Sequence, residues 1–527
     1  MFIDEARQIL QAREESLRPL LEAWEALRLR FLTRRAGRVE MLEARRARRE
    51  AQADPGLFEQ VQDAVLSSLD DTGLDQRLQA LYHELAGLSG SPALRERRDQ
   101  LLTDLELRWL EPRMVAGRAW TVRDLERALD ESRLDEERRP VWEALTLAGR
   151  AGAAEALAGL ALAEEIAREA GFASLPDACG QRLLLDPGES EGWLESLRGA
   201  LRPLIREEAE RDLSETAEAR RRPIAGLDAC ALGALYGSGL DGRHGLPGSQ
   251  HTAAHAGRDP LDLLRDTADL LGLDVDGPLA RWTTGGLVLP TQLQGLIDGP
   301  EGRWPVVVVD LQAGWRGCRD ALDVLGQVLG SQAQAVTARE SGAGAGVAFP
   351  LRHVQSLTMG RLLSDLPATG DWAGRLLEVA DLPSWEAWWR RRRLLRLGQD
   401  LLRLEWLSRA PGLNVEDAGE LWLELRRDWL ALPPHARDRD LWAADPLLAL
   451  RPEEVLPRLG AELLAASLRT RWGLAGLPLA TPELGGRLLD HLTEPAEAED
   501  WGEALDALRE GLHPRDLVDA WRSRQPA

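Results

Sequence analysis

The sequence predicts a mainly α-helical chain with one small β region, on three observations. Apolar residues recur at three- and four-residue steps along most of the chain. Ser, Asp or Thr, or a proline in the first turn, opens many of those stretches, as helix starts do. The β-branched run Val306–Val309 is confined to the segment 282–311.

Taken in order, Leu10, Leu17, Leu20, Leu21, Trp24 and Leu27 predict a long helix or helical hairpin from Asp4 to about Ala53, broken near Gly37. Further helices are predicted over 57–88, 92–110, 122–134 and 137–170. Pro176 and the stretch 185–192 punctuate the chain before a helix at 191–220. The segment 226–260, rich in Gly, His, Ser and Pro, predicts a loop, and a short helix follows at 260–272. Trp282–Leu289 reads as a strand. Gln294–Ile297 and Pro305–Leu311 read as a hairpin across Asp298-Gly299-Pro300-Glu301-Gly302. Helices resume at 316–336, 350–364, 384–409, 416–431, 451–473, 482–492, 498–510 and 514–523, with a loop at Ser341–Gly346. This divides the chain into an N-terminal helical region, 1–150, and a larger helical body with the small sheet, 151–527, or makes it one continuous two-lobed body.

Charge narrows the function classes. Sixty-five basic residues, all arginine, face 87 acidic ones, for a net charge of −22. Such a chain is repelled by phosphate backbones and anionic bilayers, so neither nucleic acid nor a membrane is expected as a partner. The run Arg45-Arg46-Ala47-Arg48-Arg49, interleaved with glutamates, reads as a solvated helix face rather than an RNA site. Cys179, Cys230 and Cys318 are odd in number and show no C-x-x-C spacing. This argues against a disulfide framework or a structural zinc cluster and fits a reducing cytoplasm. The first residues lack the basic and apolar regions of a signal peptide, and Ala156–Ala163 is too short to cross a bilayer.

Several local patterns, in this order, resemble the gluzincin oligopeptidases: the oligopeptidase F and thimet oligopeptidase group and their angiotensin-converting-enzyme-like cousins. They begin with the helix Leu160–Phe172, ending in Gly-Phe, and the strand Thr284-Gly-Gly-Leu-Val-Leu-Pro-Thr. The hairpin and the helix Cys318–Ala333 follow. Arg352-His-Val-Gln-Ser-Leu-Thr-Met-Gly is similar to the family's Glu-Val-Ala-Ser-Met-x-Met-Glu helix. The pair Leu404-Glu-Trp-Leu and Leu421-Trp-Leu-Glu-Leu is similar to its Phe-Glu and Leu-Trp-x-Glu-Leu segments. Thr481-Pro-Glu-Leu-Gly and Trp501-Gly-Glu-Ala-Leu complete a resemblance spread over about 150–525. It implies a zincin-like peptidase fold: a large helical body containing a cleft, with the small sheet near 282–311.

The resemblance also implies chemistry that these residues lack. A His-Glu-x-x-His helix puts two zinc ligands on one face and a general base between them. The matching helix here reads Asp323-Val-Leu-Gly-Gln-Val-Leu-Gly-Ser. The ligand positions fall on Gly326 and Gly330, which have no ligand atom, and the base position on Gln327, which cannot take the proton. The third ligand position falls at or beside His353. The family's late His and Tyr oxyanion donors have no counterpart in 438–470, which contains neither residue. These are therefore vestigial positions. No catalytic residue and no metal ligand is assigned, and no cofactor, zinc included, is expected. Gly326 and Gly330, four apart, leave one helix face without side chains, so a neighbouring helix or loop is expected to fill the space beside it.

Other constellations carry less. His83-Glu84 begins like a zinc motif but has Gly87 at the second ligand position and reads as a surface helix. His251 and His255 have the spacing of a metal pair but no glutamate base, and the segment reads as a solvated loop, with a metal site as the sharper alternative. Trp385, Trp388 and Trp389 before Arg390–Arg393 read as core beside a charged face rather than a base-stacking platform. Ser331, Ser341 and Ser356 have no visible His–Asp partners, and Cys318 reads as buried. Three functions remain open. The first is an inactive peptidase homologue that binds a peptide or protein partner in the old cleft, where a strand edge can accept an extended peptide. The second is a hydrolase with a displaced metal site. The third is a helical scaffold that oligomerises through its N-terminal helices.

Overall fold

The computed structural model describes residues 3–52, 55–66, 91–131, 135–180, 189–232, 257–284, 295–297, 306–309, 315–340, 350–471 and 481–486, with a few single residues between them. The expected helices at 498–510 and 514–523, the glycine-rich loop 341–346, His83, Glu84, His251 and strand residues 285–289 lie outside the described residues.

The first periodic stretch forms two helices, α1 (Ile3–Leu32) and α2 (Arg38–Gln52), parted at Gly37 as predicted. They are followed by α3 (Pro55–Leu66) and α4 (Pro92–Leu110). α2 packs against both α1 and α4. Its arginines are not simply solvated: Arg38, Arg45 and Arg49 pair with Asp104, Glu106 and Asp99 of α4, and Arg48 lies over the Trp24 ring. Next comes a hairpin that the sequence reading missed, β1 (Arg113–Val115) and β2 (Arg118–Trp120). Its two-residue turn puts Ala116 and Gly117 at φ of 49° and 80°, the left-handed conformation that a tight hairpin requires.

α5 (Val122–Glu131), α6 (Asp135–Ala151) and α7 (Ala153–Glu169) follow. The single helix predicted over 137–170 breaks at Gly152, which has φ −104° and ψ 11°. Beside the break, Gly149 lies against the backbone of Ala443 and Ala444, closer than any side chain allows. Tertiary contact thus overrides the apolar period. α8 (Leu175–Gly180), α9 (Glu189–Arg220) and α10 (Pro260–Leu271) lead to the second sheet, β3 (Trp282–Thr284), β4 (Gly295–Ile297) and β5 (Val306–Val309), in the order β3-β5-β4. β4 and β5 form the expected antiparallel hairpin, with Leu296 opposite Val307. β3 joins β5 in parallel, with Thr283 opposite Val308.

The rest is helical: α11 (Trp315–Glu340), α12 (Pro350–Ser364), α13 (Gly370–Leu377), α14 (Leu382–Arg409), α15 (Val415–Leu430), α16 (Pro446–Leu450) and α17 (Val455–Arg471). The start signals act as read. Asp259, Asp381 and Asp445 each accept a hydrogen bond from the backbone N–H of the first turn they cap, satisfying a donor the helix leaves open, and Asn414, which the sequence reading does not mark, does the same for α15.

The main core runs from Phe31 to Ala466 and so draws on both sides of residue 150. It holds Trp109, Trp142, Trp406, Trp422, Trp429 and Trp442. A second core joins Leu322, Leu325 and Met359 to Trp315, Trp372, Trp385, Trp388 and Trp389. The tryptophans beside Arg390–Arg393 are therefore core, as expected, and Trp315, Trp388 and Trp389 meet edge to face. All three cysteines are free thiols and buried. Among the described residues no single helix is long and apolar enough to cross a membrane. The bent pair 136–151 and 153–169 meets the test jointly, but Trp142, Leu145, Ala156 and Leu160 on it are core residues.

Candidate functional site

α11 is held from two sides. Val324 and Val328 pack on Val307 and Val309 of β5, so the β-branched strand supplies a floor for one face of the helix. Leu322, Leu325 and Leu329 turn toward the second core. The face left over carries Gly326 and Gly330, and α12 lies against it.

That contact is close. A Cβ placed on Gly326 would lie 2.6 Å from the carbonyl carbon of Met359 and 2.7 Å from the Cα of Gly360. On Gly330 it would lie 3.1 Å from the Cα of Ser356 and 3.2 Å from the Cβ of Met359. Gly360 answers from the other helix: its Cβ would lie 2.6 Å from the Asp323 carbonyl oxygen and 2.9 Å from Gln327 Cγ. Two helix backbones meet where side chains would otherwise keep them apart. Each glycine costs about 1 kcal/mol of helix propensity relative to alanine, which the closer packing must offset.

Polar bonds lock the pair. Ser356 Oγ donates to the Gln327 carbonyl oxygen at 2.7 Å, across the two helices. The Gln327 side chain donates from Nε2 to Asp323 Oδ2 at 3.0 Å, and Arg361 of α12 donates from Nη1 to Asp323 Oδ1 at 3.1 Å. The position that the resemblance gives to a general base thus holds a neutral amide bound to its own helix.

Arg361 links this pair to a buried ionic cluster. Its Nε lies 3.3 Å from Glu462 Oε2 on α17. Glu462 also accepts from Arg393 Nε at 2.7 Å and from Arg396 Nη2 at 3.1 Å, both on α14. Asp365 at the end of α12 pairs with Arg393 at 3.2 Å and Arg469 at 2.5 Å. Burial alone would raise Glu462, but Arg396, Arg393 and Arg361 outweigh it and hold the carboxyl well below the usual range. Asp365 is lowered for the same reason, chiefly by Arg393 and Arg469. Both are therefore ionised at neutral pH.

The other sequence-flagged residues do not converge here. His353 sits in the first turn of α12, its side chain outside the described part. His255 corrects the solvated-loop reading: it is 1% exposed and stacks on Trp385 and Trp372, with ring centroids 5.9 and 6.4 Å away. An imidazole is flat and aromatic enough to complete that cluster, and no local sequence signal marks it. Burial pushes the Cys318 thiol far up, so it is neutral and unreactive at physiological pH.

At the ligand positions that the resemblance gives, the residues present do not fit a zinc ion: glycine offers no ligand atom, and α12 lies where a side chain on Gly326 would stand. Among the described residues no group of three or more His, Cys, Asp or Glu side chains is arranged to hold a metal ion. A cavity of about 530 Å³ lies elsewhere, between the end of α14 and α15, and is lined by Arg409, Asp417, Glu420, Glu424 and Arg427. It is polar and open, and nothing from α11 or α12 reaches it.

No family model matches the sequence, and no curated protein is significantly similar to it. Solved structures are. One, described as an oligoendopeptidase F from Bacillus anthracis str. Ames, superimposes with a TM-score of 0.56 over 99% of this chain and 96% of its own, at 10% identity. Another, PZ peptidase A crystallised with an inhibitor, gives 0.52 over 92% and 87%, at 11% identity. At such identities the likeness is one of fold. The chain has the mainly α, zincin-like body of these peptidases along nearly its whole length.

Proposed function

We propose that this chain is a peptidase-fold protein that has kept the body and lost the hydrolysis, and that it binds a peptide or a protein partner without zinc. The observation that carries the reading is the seam between α11 and α12. Where the fold's hydrolytic members need two histidines and a glutamate, this chain has Gly326, Gly330 and Gln327, and the backbone of Met359 and Gly360 lies against the first glycine. Loss of one ligand could be a local accident. Replacement of both histidine positions and the base, next to a late segment without Tyr or His, argues for a site that no longer turns over.

Peptide or protein binding is the use that such a body keeps. Among the described residues β4 and β3 are the edges of the second sheet, and an edge strand can take up an extended peptide through backbone hydrogen bonds. α1 packs against β4, and Glu25 of α1 pairs with Arg281 just before β3, so the N-terminal helices border the same sheet. This N-terminal region pairs many of its arginines internally, which weakens the scaffold alternative. The net charge of −22 disfavours nucleic acid and anionic membranes, and a cytoplasmic setting suits three free thiols.

The test is incubation of the purified full chain with a defined mixture of short peptides, with and without added zinc, read by mass spectrometry. The expected result is retention of some peptides, all intact. Cleavage products would overturn the loss of hydrolysis. Failure to retain any peptide would overturn peptide binding.

A further inference from the structure

One edge of the second sheet is already faced by the chain itself. α1 packs against β4, while the central strand β5 has no comparable contact with it among the described residues. A helix laid over a face of the sheet would meet the middle strand as well. α1 therefore stands at the outer side of β4, where an added strand would have to lie.

The polar tie between α1 and the sheet is the ion pair of Glu25 with Nη2 of Arg281, the residue directly before β3. The register sets Trp282 opposite Val307 and Ile297 opposite Val306, so Arg281 stands at the end of the sheet where β4 finishes. The pair is only half made. A guanidinium and a carboxylate can share two parallel bonds. Here Glu25 Oε2 and Arg281 Nε are buried without a hydrogen-bond partner, and Glu25 is 7% exposed. A buried polar group left unmet costs free energy that water returns on exposure, so this contact holds less firmly than a complete pair. Three residues on, Arg28 shows the complete form: it donates to both oxygens of Glu106 of α4, at 2.8 and 2.9 Å.

The two ends of α1 are anchored elsewhere. Phe31 and Leu32 enter the main core, and Ala6 and Leu10 pack with Val61 and Ala64 of α3 in a small core of their own. Between them lies Pro19, which has no N–H to give to the preceding turn and so weakens the helix there. We propose that α1 is an autoinhibitory strap: it bars the outer side of β4, the Glu25–Arg281 pair keeps it there, and a peptide adds to β4 when that pair opens. This rests on the reading that the sheet edge binds peptides, and it names the regulation of that site. The turn that carries Glu25 lies between a fixed end and a weak point, so it can leave the sheet while both cores stay packed.

The experiment uses the full chain as wild type, as Glu25→Gln, as Arg281→Gln, and with the charges exchanged, Glu25→Arg together with Arg281→Glu. Two quantities are read: backbone hydrogen exchange in α1 around Glu25 and in β4 without peptide, and affinity for the peptides that the wild type retains from the mixture described above. Each single variant should exchange at least about fivefold faster and bind at least about fivefold more tightly. The exchanged pair should return both quantities toward the wild type. If a single variant does not melt cooperatively, Glu25→Asp, one methylene shorter, is read in its place with the same expected direction. Exchange and affinity unchanged in the single variants would overturn the strap. Faster exchange with weaker binding would also overturn it, because α1 would then be a wall of the peptide site rather than a bar to it. Retention of no peptide by any form would remove the peptide reading and the strap's role with it, whereas failure of the strap alone leaves retention by the wild type intact.

Discussion

Two helix seams sit side by side in this protein and are built in opposite ways. Between α11 and α12, side chains are absent: Gly326, Gly330 and Gly360 let the backbones touch. Between α14 and α17, long charged side chains fill the seam: half-buried Arg393 and Arg396 converge on buried Glu462, with Asp365 and Arg469 completing the cluster. Arg361 belongs to both seams, bonding Asp323 on one side and Glu462 on the other. The contrast shows two ways to close a helix seam: removing side chains lets backbones pack directly, and burying carboxylates holds several arginines together between helices.

The ionic seam should break most violently. Glu462→Ala leaves Arg361, Arg393 and Arg396, all half-buried, without their shared buried carboxylate. The expected loss is about 3–5 kcal/mol of stability, measured by chemical denaturation. A loss below about 1 kcal/mol would mean that water or Asp365 already compensates, and that the two seams differ less than the contacts indicate.

Acid should separate the seams next. Glu462 and Asp365 are both lowered in the folded state, so their contribution is fully present above the unfolded carboxylate range near pH 4. It is lost as pH falls through the depressed folded values. The N-terminal region offers a numerical parallel. Burial would raise Glu106, but Arg28 and Arg45 outweigh it and hold it at about 2. Its contribution of about 3 kcal/mol should therefore disappear between about pH 4.5 and pH 2. Unfolding curves across that window should show the destabilisation by Glu462→Gln shrinking as pH falls, while that of Gly326→Ala stays constant. Parallel behaviour of the two variants would deny the contrast.

The glycine seam should respond in a graded way. Gly326→Ala places a methyl group into the backbone of Met359 and Gly360, and the helices must part to accept it. The expected cost is about 2 kcal/mol, after any gain in helix propensity. Gly330→Ala meets Ser356 and Met359 at 3.1–3.3 Å, a distance that small shifts can relieve. Its strain and its propensity gain of about 1 kcal/mol should nearly cancel, leaving the smallest effect of the series. Thermal melts of the two variants check the order, and a reversed order would place α12 elsewhere on the face.

Much of this was legible in the sequence where the physics is local. α4 and α12 match their predicted bounds, the 294–311 hairpin followed from its β-branched run, and Asp and Pro marked helix starts. Gly326, Gln327 and Gly330 are singled out by the resemblance to the gluzincin helix, and helical spacing adds only that the two glycines share a face. What escaped depends on distant partners. The parallel pairing of β3 with β5 has no local signal. The break at Gly152 goes with the contact between Gly149 and Ala443. The burial of His255 is set by Trp372 and Trp385, more than a hundred residues away. The ionic cluster was hidden for a related reason: arginines at helical spacing look like a solvated face until the carboxylates of other helices are in place. The β1–β2 hairpin was locally encoded, but by Ala116-Gly117 rather than the stronger Asn-Gly or Asp-Gly turn.

The central claim is that the fold persists without its hydrolytic metal chemistry. Its most direct test is zinc content together with peptide hydrolysis, measured on the same full-length preparation before and after zinc is added. The account predicts zinc far below one equivalent after dialysis and no cleavage at any zinc concentration, from a protein that melts cooperatively. One equivalent of retained zinc, with hydrolysis that a chelator removes and zinc restores, would contradict it.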